Sequence, residues 1–338
     1  MDLRLRELGL LAARRLVRLA LILAAVAAVA FALAKLSPID PIEAYLGPAT
    51  ARLGPEQRAL IAGAWGLDQP AAVQFARWAG RILAGDLGWS VTFNAPVSEV
   101  LRERMAATLL LAGSAWFLSG VLGFALGVLA GATEGSWLDR AIRVWSYGLA
   151  STPTFWLAIL LLVVFSVELR WTPICCAGPI GVPPGEVTFA DRLRHLMLPL
   201  ATLTLVGVSQ MALHTRAKMA DILRSPFALF ALAQGASRFD IVLRHGLRNA
   251  GLPAVAILFA STGEILGGSV LAEQVFGYPG LGRATVEAGV RGDVPLLLAI
   301  TLLTTAIVSA GNALADLLYR VLDPRIPPDR DRNGIDMP

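Results

Sequence analysis

The chain has 338 residues, 56% of them hydrophobic and only 16% charged, with a formal net charge of +4. The apolar residues fall in long blocks, which excludes an ordinary soluble domain and marks an integral membrane protein. Basic clusters sit beside those blocks, so they read as orientation signals and lipid-interface anchors and not as a nucleic-acid surface.

Taken in order, Met1–Arg18 carries Arg4, Arg6, Arg14, Arg15 and Arg18, and the apolar run Leu19–Ala34 comes next. A basic start before an apolar core also fits a cleaved signal peptide. The run is long for one, Lys35 comes directly after it, and no clean small-x-small site ends it. A retained first span with a cytoplasmic N-terminus is therefore expected. From Ser37 to about Arg104 the chain is polar, with Gly and Pro punctuation, mixed charge and recurring tryptophans at Trp65, Trp78 and Trp89. PEQRALIAGAWGL and PAAVQFARWAGRIL have helical periodicity, which predicts a small helical outer domain. Its tryptophans fit interfacial anchoring better than ligand stacking.

Five more apolar blocks occur, at about 106–132, 144–167, 196–213, 250–271 and 295–318. Each meets the length of about 20 residues that a helix needs to cross hydrocarbon. The expected fold is all-α: six transmembrane helices with a helical outer domain between the first two. The expected divisions are 1–36, 37–104, a core 105–322 with five spans and the loop 224–253, and a tail 323–338. The Arg140 loop, the stretch around Arg224–Pro253 and the tail are basic, which puts them with both termini on the cytoplasmic side. Glycines 113, 120, 123, 127 and 131 line the second span, several of them four apart, and permit close helix contact. Pro153 and Pro199 are expected to kink their spans.

Two polar features fall in this core. Glu264 lies within the fifth span, where an ionisable group costs several kcal/mol unless paired or wetted. It either lines a path for cationic or zwitterionic cargo or makes a structural pair with a neighbouring helix. Cys175 and Cys176 are adjacent, which rules out a disulfide framework. Two free thiols are expected in preference to a strained vicinal disulfide.

The stretch RSPFALFALAQGASRFDIVLRHGLRNAGLP is an amphipathic island between apolar blocks. Ser225 is placed as an N-cap with Pro226 at the first helical position. Gly235 is placed to end that helix in the left-handed conformation. Ser237 and Asp240 form a capping-box pattern for a second helix. Leu229, Leu232, Phe239, Val242 and Leu243 offer apolar contacts, and Arg238, Arg244, His245 and Arg248 supply positive charge. A loop this structured reads as a docking surface.

Chemistry is sparse. His195, His214 and His245 lack metal-ligand spacing, and no phosphate-binding loop, nucleophile elbow or zinc-binding helix occurs. No catalytic residue, metal or cofactor is expected. A polytopic chain of this kind moves, senses or scaffolds something.

Several motifs then meet in order: SPIDP (37–41), GLDQP (66–70), GDLGWS (85–90), RMAATLLLA (104–112), TPTFWLAILL (152–161), the island, EQVFGYPGLG (273–282), RGDVP (291–295) and NALADLLYRVLDPRI (312–326). Together they resemble the membrane-spanning permeases of ATP-binding-cassette importers, specifically the first permease of the dipeptide/oligopeptide/nickel branch. In that resemblance Ala231, Ala233, Gly235, Ser237, Asp240, Arg244, His245 and Pro253 belong to the loop that couples to the ATPase. Leu229, Leu232 and Gln234 depart from the basic residues usual there, and Glu264 is unusual for the family. The resemblance implies a second homologous permease, two cytoplasmic ATPase subunits and an outer solute-binding protein as partners, in the bacterial inner membrane. Hydrolysis would belong to the partners, and the cargo would be a di- or oligopeptide, a nickel complex, glutathione or a related small solute. An ion-coupled secondary transporter, or a membrane-embedded enzyme or scaffold, is the alternative.

Overall fold

The computed structural model describes residues 2–36, 42, 53–183 and 185–322. The SPIDP element and the tail from residue 323 lie outside the described residues. The regular secondary structure among the described residues is helical apart from one hairpin of two-residue strands.

α1 runs over Asp2–Leu36 and contains an apolar segment, Arg14–Leu36, long enough to span. Two shorter helices come next, α2 (Pro55–Trp65) and α3 (Ala71–Leu83), where periodicity predicts them. α2 begins with Pro55 at its first position and ends at Gly66, whose φ of 68° supplies the left-handed cap. Phe31 of α1 packs edge-on against Phe75 of α3 at 5.4 Å and lies 5.8 Å from Trp78. This grouping places the aromatic face of α3 against the first span.

The hairpin pairs β1 (Trp89–Ser90) with β2 (Ala95–Pro96), Trp89 opposite Pro96 and Ser90 opposite Ala95. It leads into α4 (Val97–Ala132), a 36-residue helix. α5 (Trp137–Ala150) is capped by Ser136, whose Oγ accepts from the Asp139 amide at 3.2 Å. α6 (Thr154–Leu161) continues as a π-helical turn over Leu162–Glu168. α7 (Phe189–Leu223) runs through Pro199 as one helix.

Then come α8 (Pro226–Ala233), α9 (Arg238–Ile241), a π turn at Val242–Gly246, α10 (Leu247–Ala260), α11 (Thr262–Val275), α12 (Leu281–Arg291) and α13 (Val294–Leu322).

Among the described residues, four helices are long and apolar enough to cross a membrane, and the number rises to six if two bent pairs each count as one span. The predicted third span is one of these pairs. Proline at 153 cannot donate and disfavours helix at the residue before it, so α5 and α6 meet at 104° instead of forming a kinked rod. The predicted fifth span also breaks, at Ser261, with 49° between the halves.

The chain forms two compact units. The first comprises Met1–Leu111, Pro173–His195 and Ser269–Ser309. Its core is Val97, Val100 and Leu101 packed with Leu281, Ala284, Ala288, Leu296, Ala299 and Ile300. Two fully buried carboxylates pin it. Asp293 accepts from Ser90 Oγ at 2.6 Å, from the Thr92 amide at 3.0 Å and from the Leu296 amide at 3.2 Å, so one side chain caps α13 and fixes the hairpin. Glu273 accepts from Thr108 Oγ1 at 2.6 Å and from the Arg283 amide at 3.1 Å, and Thr108 Oγ1 accepts from the Leu281 amide at 2.7 Å. The start of α12 thus wraps the Glu273 carboxyl group, holding it through one of its own amides and through Thr108. A Cβ at Gly280 would collide with that carboxylate, which explains the glycine.

Cys175 and Cys176 in the same unit are joined as a vicinal disulfide, which corrects the expectation of two free thiols. Their turn is held by the Cys176 amide donating to the Phe276 carbonyl at 2.8 Å, with Cys176 at φ 78°. That local fold brings neighbouring side chains together, which adjacency in sequence alone does not decide.

The second unit comprises Ala112–Thr172, Leu196–Gly268 and Ala310–Pro338. Its α4 and α7 segments approach closely through the predicted glycines. A Cβ at Gly123 would lie 2.6 Å from that of Met211, at Gly127 2.5 Å from Thr215, and at Gly131 2.6 Å from Met219. None of these positions has room for a side chain, so the glycine ridge is a packing seam.

Candidate coupling surface

The island begins where α7 ends, in the second unit. Ser225 Oγ accepts from the Ala228 amide at 3.3 Å and donates to the Ile222 carbonyl at 2.6 Å, capping α8 while closing α7. Pro226 takes the first helical position, where its missing N–H costs nothing. Gly235 has φ 93°, a conformation that glycine adopts without strain. Ser237 caps α9: its Oγ accepts from the Asp240 amide at 3.1 Å, and its hydroxyl donates to Asp240 Oδ2 at 2.5 Å. Both corners predicted from sequence are therefore present.

Beyond α9 the chain is not a plain helix. The Leu247 amide reaches back to the Val242 carbonyl, five residues away, and makes the π turn. Such a bulge inserts one extra residue and rotates the helix beyond it. Arg244 and His245 lie on it, both exposed, and Asn249 Nδ2 donates to the His245 carbonyl at 2.9 Å. Phe227 of α8 packs edge-on against the His245 ring at 4.9 Å, tying the island's two halves together. Pro253 sits within α10 and is half-buried.

The island is rooted on one side and open on the other. Ala228, Ile241, Val242 and Ala250 are buried with Met219, Ile222 and Leu223 of α7. Phe124, Val128 and Ala132 of α4 pack against that cluster, as do Ala231, Leu232 and Ala236. Outward stand Phe227, Leu229, Phe230, Phe239 and Leu243, with Phe230 65% and Phe239 70% exposed. Arg238, Arg244 and Arg248 are exposed around them. Large aromatics held open on a rigid base and rimmed by arginine have the make-up of interface anchors.

The predicted contact residues divide accordingly. Val242 and Leu232 face inward, while Leu229, Phe239 and Leu243 face outward. Ala231 is half-buried, and Ala233, Gly235, Ser237 and Asp240 are exposed. Sequence reasoning passes over Phe227 and Phe230. Their signal is the run FALF, where apolar residues on every side of a short helix leave some of them uncovered.

Glu264 is exposed, in the first turn of α11 just past the break at Ser261, and accepts a hydrogen bond from Gln210 of α7. It is at once paired with a neighbouring helix and open on another side.

A polytopic, all-α membrane protein with a rooted, partly open helical island is the class that this fold defines. The chain belongs to the family of binding-protein-dependent transport system inner membrane components, which it matches over residues 123–327, and residues 9–112 match the family's N-terminal component. The oligopeptide transport system permease protein AppB of Bacillus subtilis is 33% identical over 306 residues, covering 90% of this chain and 95% of that one. The probable peptide ABC transporter permease protein y4tP of Sinorhizobium fredii is 34% identical over 319 residues, covering 94% and 99%. A solved structure of the MetNI methionine ABC transporter shares the fold, with a TM-score of 0.52 at 18% identity over 67% of this chain and 97% of that one.

Proposed function

We propose that this chain is a permease subunit of an ATP-driven importer, with a di- or oligopeptide or a related small solute as cargo. In this reading it pairs with a second, homologous permease. Two cytoplasmic ATPase subunits bind and hydrolyse ATP, and an outer solute-binding protein delivers cargo. The N-terminus, the island and the tail lie in the cytoplasm. Coupling residues are Ala231, Ala233, Gly235, Ser237, Asp240, Arg244, His245 and Pro253, seated in a cleft of one ATPase.

The observation that carries the reading is the island's construction. A capped helix rooted by Ala228, Ile241 and Val242 moves with α7 and α10, while Phe230, Phe239 and Leu229 remain free to bind. Force applied to that face reaches the spans because a close-packed core does not absorb it. Two discrete arrangements of the spans, biased differently by nucleotide and cargo, then give alternating access. The peptide-permease names of the relatives support the cargo class.

Vesicles holding the complete transporter test this against ion-coupled transport. Uptake of labelled trialanine should stop when ATP is depleted with the proton gradient intact, and survive a protonophore while ATP is supplied. The reverse pattern would overturn the reading.

A further inference from the structure

A cluster of five charged side chains lies in the second unit beside the island. Asp139, in the first turn of α5, is fully buried. Arg216 of α7 grips it with two bonds, Nε to Oδ1 at 3.0 Å and Nη2 to Oδ2 at 2.9 Å. The Gly135 amide donates to Oδ2 at 3.0 Å, and Arg143 forms an ion pair with Oδ1 at 3.2 Å. Glu134, in the turn between α4 and α5, accepts from Arg216 Nη2 at 3.2 Å. It is also held by Arg224, through Nε to Oε2 at 3.0 Å and Nη2 to Oε1 at 2.6 Å. Arg224 is the last residue before the Ser225 cap of the coupling helix.

The Asp139 pair is buried and the Arg224–Glu134 pair largely open. Neither is strong ground for stability, because desolvation offsets the first and solvent screens the second. Paired forks do fix position and direction. Glu134 in the α4–α5 turn and Asp139 in the first turn of α5 are therefore bolted to Arg216 of α7 and to Arg224, which directly follows α7 and opens the island. Next to the bolt, Gly127 and Gly131 leave no play between α4 and α7.

We propose that Glu134 and Arg224 are positioning residues for coupling. They form a clasp that makes the island move the α4–α5 turn as well as the helices on either side of it, α7 and α10. The proposal rests on the importer reading. Without the clasp, the coupling helix would still root on Met219 and Ile222 and still offer Phe230 and Phe239 to a partner. Its displacement would then reach the α4–α5 turn only by way of Arg216 on α7 and the glycine seam, and no longer directly from the island's first residue.

The test uses the whole complex in lipid nanodiscs, with the binding protein purified carrying its own cargo and Mg-ATP as the probe. Arg224 is 69% exposed, so Arg224→Glu should leave insertion and ATPase co-purification intact. It should lower stimulation of ATP hydrolysis by the binding protein about three- to tenfold, within the range seen for coupling residues remote from ligand. The conservative Arg224→Lys, which keeps a cation beside Glu134 and leaves the Arg216 contact untouched, should retain most of that stimulation. A merely structural role would change yield or melting temperature and leave the stimulation ratio unmoved. Full stimulation in Arg224→Glu, or a loss as deep in Arg224→Lys, overturns the clasp. Failure of the unaltered chain to hold any ATPase would instead overturn the importer reading.

Discussion

Glu264 lies inside an apolar block of the sequence. A carboxylate inside an apolar block must be paired or wetted, and Gln210 meets the first condition by donating to it, while one side stays exposed. Hypothesis: that open side meets cargo and favours cationic or zwitterionic solutes. A unit charge at about 4 Å in a wet site contributes roughly 1 kcal/mol, or about fivefold in preference. Glu264→Gln keeps the size and a polar partner for Gln210. It should therefore reduce uptake of labelled trilysine relative to trialanine by about that factor. An unchanged ratio assigns Glu264 to structure alone. Asp139, Glu273 and Asp293, by contrast, are fully buried and fully engaged, and each organises the start of a helix or the approach to one.

At the scale of the element, the island is the informative piece. Its caps follow from local chemistry at Ser225, Gly235 and Ser237, and all three could be read without coordinates. Which residues root it and which stand open could not, because α8 is apolar on every face and only packing on α7 selects Ala228. Phe230 is the test. Replacing an exposed aromatic anchor by a charge removes contact area and brings desolvation cost to the interface. Phe230→Glu should weaken ATPase association by about tenfold or more, measured by co-purification at graded dilution. Retention like that of the native chain would move the docking face elsewhere. The bent spans teach a related lesson. Pro153 announced a disturbance, but a bend of 104° depends on what the two halves pack against. The motifs likewise appear in sequence as separate beads. In the fold GDLGWS meets RGDVP through Ser90 and Asp293, and RMAATLLLA meets EQVFGYPGLG through Thr108 and Glu273. An acid at the end of an apolar block was the available sign of that second junction.

For the whole molecule, composition and block length settled the class, and ordered motifs settled the family. Neither could supply the Glu134–Arg224 clasp, because its residues are 90 positions apart and each is an ordinary surface charge in isolation. The vicinal disulfide went the other way: adjacency was plain, but pairing depended on the turn anchored at Phe276. In the proposed reading the molecule is a membrane component driven by partner subunits, its motion set by the rooted island. Gly235 is the most direct probe of that claim. Its φ of 93° is a strained conformation for any L side chain, while nothing lies within 4 Å of a Cβ placed there. Gly235→Arg therefore disturbs the hinge without a clash. Hydrolysis and trialanine uptake measured in the same proteoliposomes should come apart, with ATP turnover maintained and uptake lost. Normal uptake at the native ratio to ATP turnover would contradict the account.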